Sequence, residues 1–261
     1  MPSQRWDGQL YVFGAMESPL HLRSQVTTAK SVWRFAFNLT ATYKRDADIL
    51  WPYGSLRYEP SPISNRPNYK VIAVSKRKTA VWLVSNCKTQ SKREHYVKEM
   101  KKYVDIDIYG RCGRPTNCSR AEYGPCMVQL LSQYKFYIAF ENSICDDYMS
   151  EKLFKLFVPN NHIIPVVRGG ADVDTLLPNN TFVNADWFKT AKDLALFLKS
   201  LSTDMDAYSR YLQAKDVYTS ETREKILCTL CETLTSSVLR PRVYDLKTWL
   251  DGQCRAPRAF T

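Results

Sequence analysis

Three short stretches hold side chains able to do chemistry. In FENSICDDYMSEKLFKLF, residues 140–157, Glu141, Asn142 and Ser143 close an apolar run, and Ser150, Glu151 and Lys152 open a helical pattern. The free N–H groups of a helix start attract anions, so a phosphate there meets backbone dipoles and the Lys152 ammonium together. Glu151 then suits a ribose hydroxyl. The plainer alternative is a capped surface helix with glutamate in its favoured first turn. Arg93, seven residues beyond Asn86, faces the same crevice with a guanidinium that forks onto two phosphate oxygens, although an arginine on a helix is more often a solvated charge. In AMESPLH, residues 15–21, Glu17 is a carboxylate just after a strand and before a proline, where a general base can stand at a cleft mouth.

Other chemistries are poorly supplied. Neither Gly-x-x-x-x-Gly-Lys nor Gly-x-Gly-x-x-Gly occurs, which argues against P-loop and dinucleotide-dehydrogenase readings. The three histidines, at 21, 95 and 162, form no ligand-spaced cluster, and the DID of 105–107 opens a strand. Cys228-x-x-Cys231 has no second pair at zinc spacing, so disulfide bonding is the expectation for both and no metal site is expected.

The elements that must position these groups follow from periodicity. AVWLVSN, from Ala80, reads as a buried strand that delivers Ser85 and Asn86 to its carboxyl end. In SKREHYVKEMKKYV, Val97, Met100 and Val104 recur at helical spacing, and DIDIYG gives a second strand stopped by Gly110. Strand, helix and strand in about thirty residues is the length of a βαβ crossover. The pattern recurs as YKFYIAFEN, a helix over SEKLFKLFV with Ser150 as its N-cap, and HIIPVVRGG. The fold class is therefore α/β with a doubly wound sheet, whose ligands sit beyond the carboxyl ends of the strands. VSN, FENS and RGG all fall there. Residues 1–68 hold another strand, QLYVFGAME, and EPSPISNRPNY (59–69) reads as a linker. TAKDLALFLKSLSTDMDAYSRYLQAKDVY shows two helical repeats of apolar residues.

Composition bounds the setting. With 261 residues, 44% of them hydrophobic and 13% aromatic, the chain can fill a core. Eight cysteines and three glycosylation sequons, at Asn38, Asn117 and Asn179, lean toward an oxidising secretory compartment, although no signal peptide or membrane span is visible. A charge of +11, from 37 Lys and Arg against 26 Asp and Glu, favours an anionic partner: nucleic acid, membrane phosphate or a nucleotide carrying a pyrophosphate. The densest basic runs, SKRK (75–78) and KEMKK (98–102), read as solvated faces rather than a nucleic-acid patch.

Read in order, MESP, FNLTATYKRDADILWPYG, VWLVSNCKTQSKREHYVKEMKKYVDIDIYGRCG, YKFYIAFENSICDDYMSEKLF, IIPVVRGG and FVNADWF resemble the α-1,3-fucosyltransferase family, most closely in look its invertebrate and plant-type members. The resemblance implies a GT-B architecture of two Rossmann-like lobes facing a cleft, with residues 1–68 a partial, incomplete acceptor-side lobe and 69–261 the donor lobe with C-terminal helices. It implies inverting transfer of L-fucose from GDP-fucose to a GlcNAc hydroxyl of an N-glycan or LacNAc-type acceptor. Carried over, Glu17 is the base; Arg93 and Lys152 contact the donor phosphates; Glu151 contacts the ribose. Glu141, Asn142, Ser143 and Tyr148 fall on the donor pocket, and Ser85 and Asn86 lie close to the nucleotide. No cofactor is strictly required, stimulation by Mn2+ or Mg2+ is compatible, and no nucleic acid is bound. The setting implied is the lumenal face of the Golgi, reached in the family through a membrane anchor that this chain does not contain.

Two departures stand out: Ser150 replaces the usual Thr before Glu-Lys, and Pro159 stands where relatives have small helical residues. The short stretch before Glu17 raises a second reading, a catalytically impaired relative that binds GDP-fucose or glycan without turnover. A nucleic-acid binder is a third and rests on charge alone.

Overall fold

The computed structural model describes residues 4–22, 32–116, 118, 124–221, 226–236 and 240–258. Its centre is a five-stranded parallel sheet in the order β6-β5-β7-β8-β9, where β5 is Lys78–Leu83, β6 Ile106–Tyr109, β7 Tyr134–Phe140, β8 Ile164–Arg168 and β9 Val183–Asn184. Every residue of β7 and β8 is buried, as expected of central strands covered by helices on both faces. One face carries α2 (Arg93–Met100), α6 (Ala191–Thr203) and α7 (Met205–Lys215). On that side Val97 and Met100 pack with Phe136, Ile138, Leu194, Leu198 and Tyr208. The other face carries α3 (Pro125–Ser132) and α4 (Glu151–Phe154), where Leu131, Tyr137, Leu153, Phe157 and Phe182 form a second layer. Each fully buried large apolar side chain contributes about 1.5–3 kcal/mol.

The expected βαβ order is present, with shorter helices. The pattern over SKREHYVKEMKKYV yields only Arg93–Met100, beginning after Lys92 at φ 48°. The run after Ser150 yields a single turn, because Phe157 and the Val158-Pro159 step must lead into β8. Gly110, at φ 107°, ends β6 as expected of glycine. In α6 the apolar spacing holds, and Thr190 and Asp193 form a reciprocal capping box.

A second, three-stranded parallel sheet runs β1 (Val12–Ala15), β2 (Leu39–Thr42), β3 (Ile49–Leu50). It packs through Phe13 and Phe37 against Tyr244 and Leu246, the latter opening α9 (Leu246–Leu250), so the chain returns to its first sheet near its end. The Lys44 ammonium sits 3.9 Å from the Trp249 ring centre. An antiparallel pair, β4 (Ser55–Tyr58) with β10 (Tyr218–Glu221), adds a further connection between early and late chain. Between β4 and β5, residues 59–68 hold one 3-10 turn before Asn68 caps α1 (Tyr69–Ser75).

Six cysteines pair as Cys87–Cys112, Cys118–Cys126 and Cys145–Cys254. Cys228 and Cys231 do not: both are exposed and free on α8 (Ile226–Thr235), which corrects the expectation of disulfides there. With the other six joined to one another, neither has a partner among the described residues. Asn117 lies outside those residues.

Candidate active site

The segment after β1 is Met16-Glu17-Ser18, and a hydroxyl from elsewhere grips each of the three. Tyr53 donates to the Met16 carbonyl, Tyr148 donates to Glu17 Oε2 at 3.3 Å, and the Ser18 hydroxyl donates to that of Ser143 at 2.9 Å. Tyr148 and Ser143 belong to the loop between β7 and α4, so the carboxylate at the end of the first sheet is tied to the second. Glu17 itself is exposed, whereas Ser18, Ser143 and Tyr148 are buried. Tyr43, Tyr53 and Tyr148 pack about one another in tilted and edge-on pairs with centroids 5.1–6.3 Å apart. Burial, reinforced by nearby tyrosine and carboxylates, pushes the Tyr148 phenol far up, which keeps it a proton donor toward Glu17.

Beyond β7, Glu141 is the hub. Its buried carboxylate accepts from the Ser150 N–H at 2.8 Å, from the Ser150 hydroxyl and from Lys152 Nζ at 3.0 Å. Lys152 also donates to the Ser150 hydroxyl at 2.7 Å and lies 3.7 Å from Glu151. Burial presses the Lys152 ammonium down, but Glu141 and Glu151 outweigh it and hold its pKa above the ordinary value. Ser150 therefore does not cap α4 as expected: its hydroxyl is spent on Glu141. Since α4 is one turn long, little macrodipole is available, and positive charge here comes from Lys152.

Arg93 is buried rather than open to the crevice, a correction to its expected reach. Its Nη1 donates to the Phe140 carbonyl at 2.6 Å and its guanidinium lies 5.7 Å from the Trp82 ring. Two buried polar atoms, Arg93 Nε and Asn142 Oδ1, have no hydrogen-bond partner. Ser85 and Asn86 are exposed just past β5, and Glu151 is exposed at the start of α4. Thus Glu17 and Tyr148 form one bonded cluster, with Ser143 tied beside it through Ser18, and Glu141 and Lys152 form another, both built on the segment that follows β7, whereas Ser85 and Asn86 are bonded to neither.

Sequence reasoning missed several residues. Ser91 joins Glu141 and Asn142 to the next strand: its hydroxyl donates to the Glu141 carbonyl at 2.6 Å, its N–H to the Asn142 carbonyl at 3.0 Å, and its carbonyl accepts from Arg168 at 2.9 Å. Arg168, buried with its guanidinium 4.7 Å from the Tyr96 ring centre, was legible as a charge ending an apolar strand before Gly-Gly. Gly170 is required there, since a Cβ would meet the Cys145 carbonyl at 2.1 Å. Tyr53 and Ser18 gave no signal beyond lying beside proline or Glu17. Among the described residues no group of three or more His, Cys, Asp or Glu could hold a metal, and no helix is long and apolar enough to cross a membrane.

Two family models cover this arrangement. Residues 1–54 match the fucosyltransferase N-terminal model, and residues 73–249 match glycosyltransferase family 10 (fucosyltransferase) C-term. The chain belongs to glycosyltransferase family 10. It is 34% identical to alpha-(1,3)-fucosyltransferase C of Drosophila melanogaster over 98% of this chain and 62% of that protein. To glycoprotein 3-alpha-L-fucosyltransferase A of the same organism it is 36% identical, over 83% of this chain and 44% of the relative. The chain thus spans about half to two thirds of the length of these relatives. A crystal structure of an alpha1,3-fucosyltransferase with GDP-fucose superposes with a TM-score of 0.58 at 17% identity, covering 87% of this chain and 75% of that one. The fold is accordingly α/β of the GT-B type.

Proposed function

We propose that this protein transfers L-fucose from GDP-fucose to a GlcNAc hydroxyl of a glycoprotein glycan in α-1,3 linkage, with inversion at the anomeric carbon. The observation that carries this reading is the Tyr148–Glu17 hydrogen bond, which sets an exposed carboxylate from one sheet against the loop that leads to Lys152 on the other. Glu17 takes the proton of the acceptor hydroxyl as its oxygen attacks fucose C1 from the side opposite the diphosphate. Charge developing on the departing GDP is met by Lys152, fixed by Glu141 and Ser150, and Arg93, buried at the end of β7 on the Phe140 carbonyl, adds its positive charge to that side of the site without reaching the diphosphate itself. Ser143 acts through Ser18 on the Glu17 segment, and Ser85, Asn86 and Glu151 flank the nucleotide.

We place the acceptor side with the first sheet and the donor side with the second, with residues 59–68 between them. Three disulfides support an oxidising compartment such as the Golgi lumen. The test is transfer from labelled GDP-fucose onto a panel of N-glycans and LacNAc oligosaccharides, in parallel with GDP binding. Transfer to either supports the assignment and names the acceptor; GDP binding without transfer to any acceptor supports the impaired relative instead.

A further inference from the structure

The last described segment, Gln253–Arg258, lies past the residues matched by the family model, yet it is not a loose end. It runs across the loop between β7 and α4. Asp146 N–H donates to the Gln253 carbonyl at 2.8 Å and Arg255 N–H to the Ile144 carbonyl at 2.9 Å, on either side of the Cys145–Cys254 disulfide. The Gln90 side chain bridges the two, accepting from Ile144 N–H at 3.0 Å and donating to the Arg255 carbonyl at 2.8 Å. The segment is thereby fixed through a single antiparallel bridge, Cys145 opposite Cys254, to the loop that leaves the carboxyl end of β7.

Behind it is a narrow cleft of about 40 Å³ that opens to solvent. Arg168 and Gly169 of the β8 end form part of its lining, Tyr96 and Phe188 offer ring surfaces, and Arg255 to Arg258 supply the outer wall. Four cations line it, Arg168, Lys189, Arg255 and Arg258, against one carboxylate, Asp186. It adjoins the Lys152 cluster, for a Cβ at Gly169 would lie 3.3 Å from Glu141 Cγ. A nucleotide with its diphosphate at Lys152 has this cleft as the neighbouring walled space for the rest of the molecule. Flat apolar surfaces suit a base, and a carboxylate accepts the N–H donors on the edge of a guanine.

We propose that the C-terminal segment Gln253–Arg258 is part of the nucleotide site, a disulfide-held wall that encloses the nucleoside half of a guanosine diphosphate between itself and the β8 end. This rests on the donor reading given above, and the test separates the two. GDP and inorganic pyrophosphate are titrated calorimetrically into the unaltered protein, into Cys145→Ser/Cys254→Ser, which frees the wall, and into Arg258→Glu, which keeps the disulfide and reverses one wall charge. Pyrophosphate probes the Lys152 half alone. The expected result is GDP binding at least tenfold weaker in both variants, with pyrophosphate binding within twofold of the unaltered protein. GDP binding within twofold in both variants overturns the proposal. A parallel loss of GDP and pyrophosphate in both also overturns it, because the segment then supports the whole site rather than the nucleoside half. Failure of the unaltered protein to bind either probe overturns the donor reading itself.

Discussion

Replacing Glu141 by glutamine keeps the shape of the hub and removes its charge. In the native site the carboxylate is almost wholly buried and faces the Lys152 ammonium at 3.0 Å, whose side chain is 22% exposed. Glutamine still accepts from the Ser150 N–H, but its amide group turns a donor toward an ammonium that has only donors. Removing one partner of a buried ion pair costs about 3–5 kcal/mol, and the residual exposure of Lys152 puts this case near 3 kcal/mol. For a chain of this size that corresponds to a fall in Tm of about 6–12 °C. The loss should hardly vary between pH 6 and 9: the Lys152 pKa is raised, so its share of the stabilisation is present below the ordinary lysine value and disappears only as pH climbs through the raised one. Calorimetric melting of both proteins across that range measures it. A Glu141→Gln protein within about 0.5 kcal/mol of the parent refutes the ion pair as the anchor of Lys152.

Other substitutions probe separate links. Tyr148→Phe removes the donor to Glu17, so kcat should fall about tenfold while the KM for GDP-fucose changes little; an unchanged kcat counts against that contact. Lys215 and Lys76 are buried among carbonyls, and burial pushes each ammonium down to about 7. The unfolded chain therefore binds more protons between about pH 7 and 9.5, and stability should rise with pH across that window by up to about 1.4 kcal/mol per unit for each lysine. Urea unfolding of Lys215→Met should show a shallower rise, and an unchanged slope excludes Lys215 as a source.

Much of the central sheet and its polar edge was legible because its signals are local. Alternation of apolar runs with helical spacing marks a parallel sheet, and polar residues at the ends of such runs mark its ligand edge, so Glu141, Ser143 and Lys152 were found together. Their arrangement was not. Ser150 stands at the cap position by sequence rules, yet a buried glutamate nine residues earlier claims its hydroxyl, a contact that only the return of the loop onto β7 creates. Arg93, expected one turn into the helix, opens it instead, and packing against Trp82 and Phe140 turns it inward. The tie between Ser18 and Ser143 spans 125 residues, and the Cys145–Cys254 bond spans 109. Neither separation leaves a trace in periodicity, and Cys228-x-x-Cys231 drew attention that the pairing does not reward.

The most direct test of the central claim is single-turnover transfer from GDP-fucose by Glu17→Gln, with GDP binding measured on the same preparation. Glutamine keeps the acceptor for Tyr148 and loses only the capacity to take a proton. Transfer should fall by at least a hundredfold, within the span general-base catalysis supplies, with GDP affinity within twofold of the parent. Full turnover by Glu17→Gln contradicts the role of Glu17 as the base on which the mechanism depends.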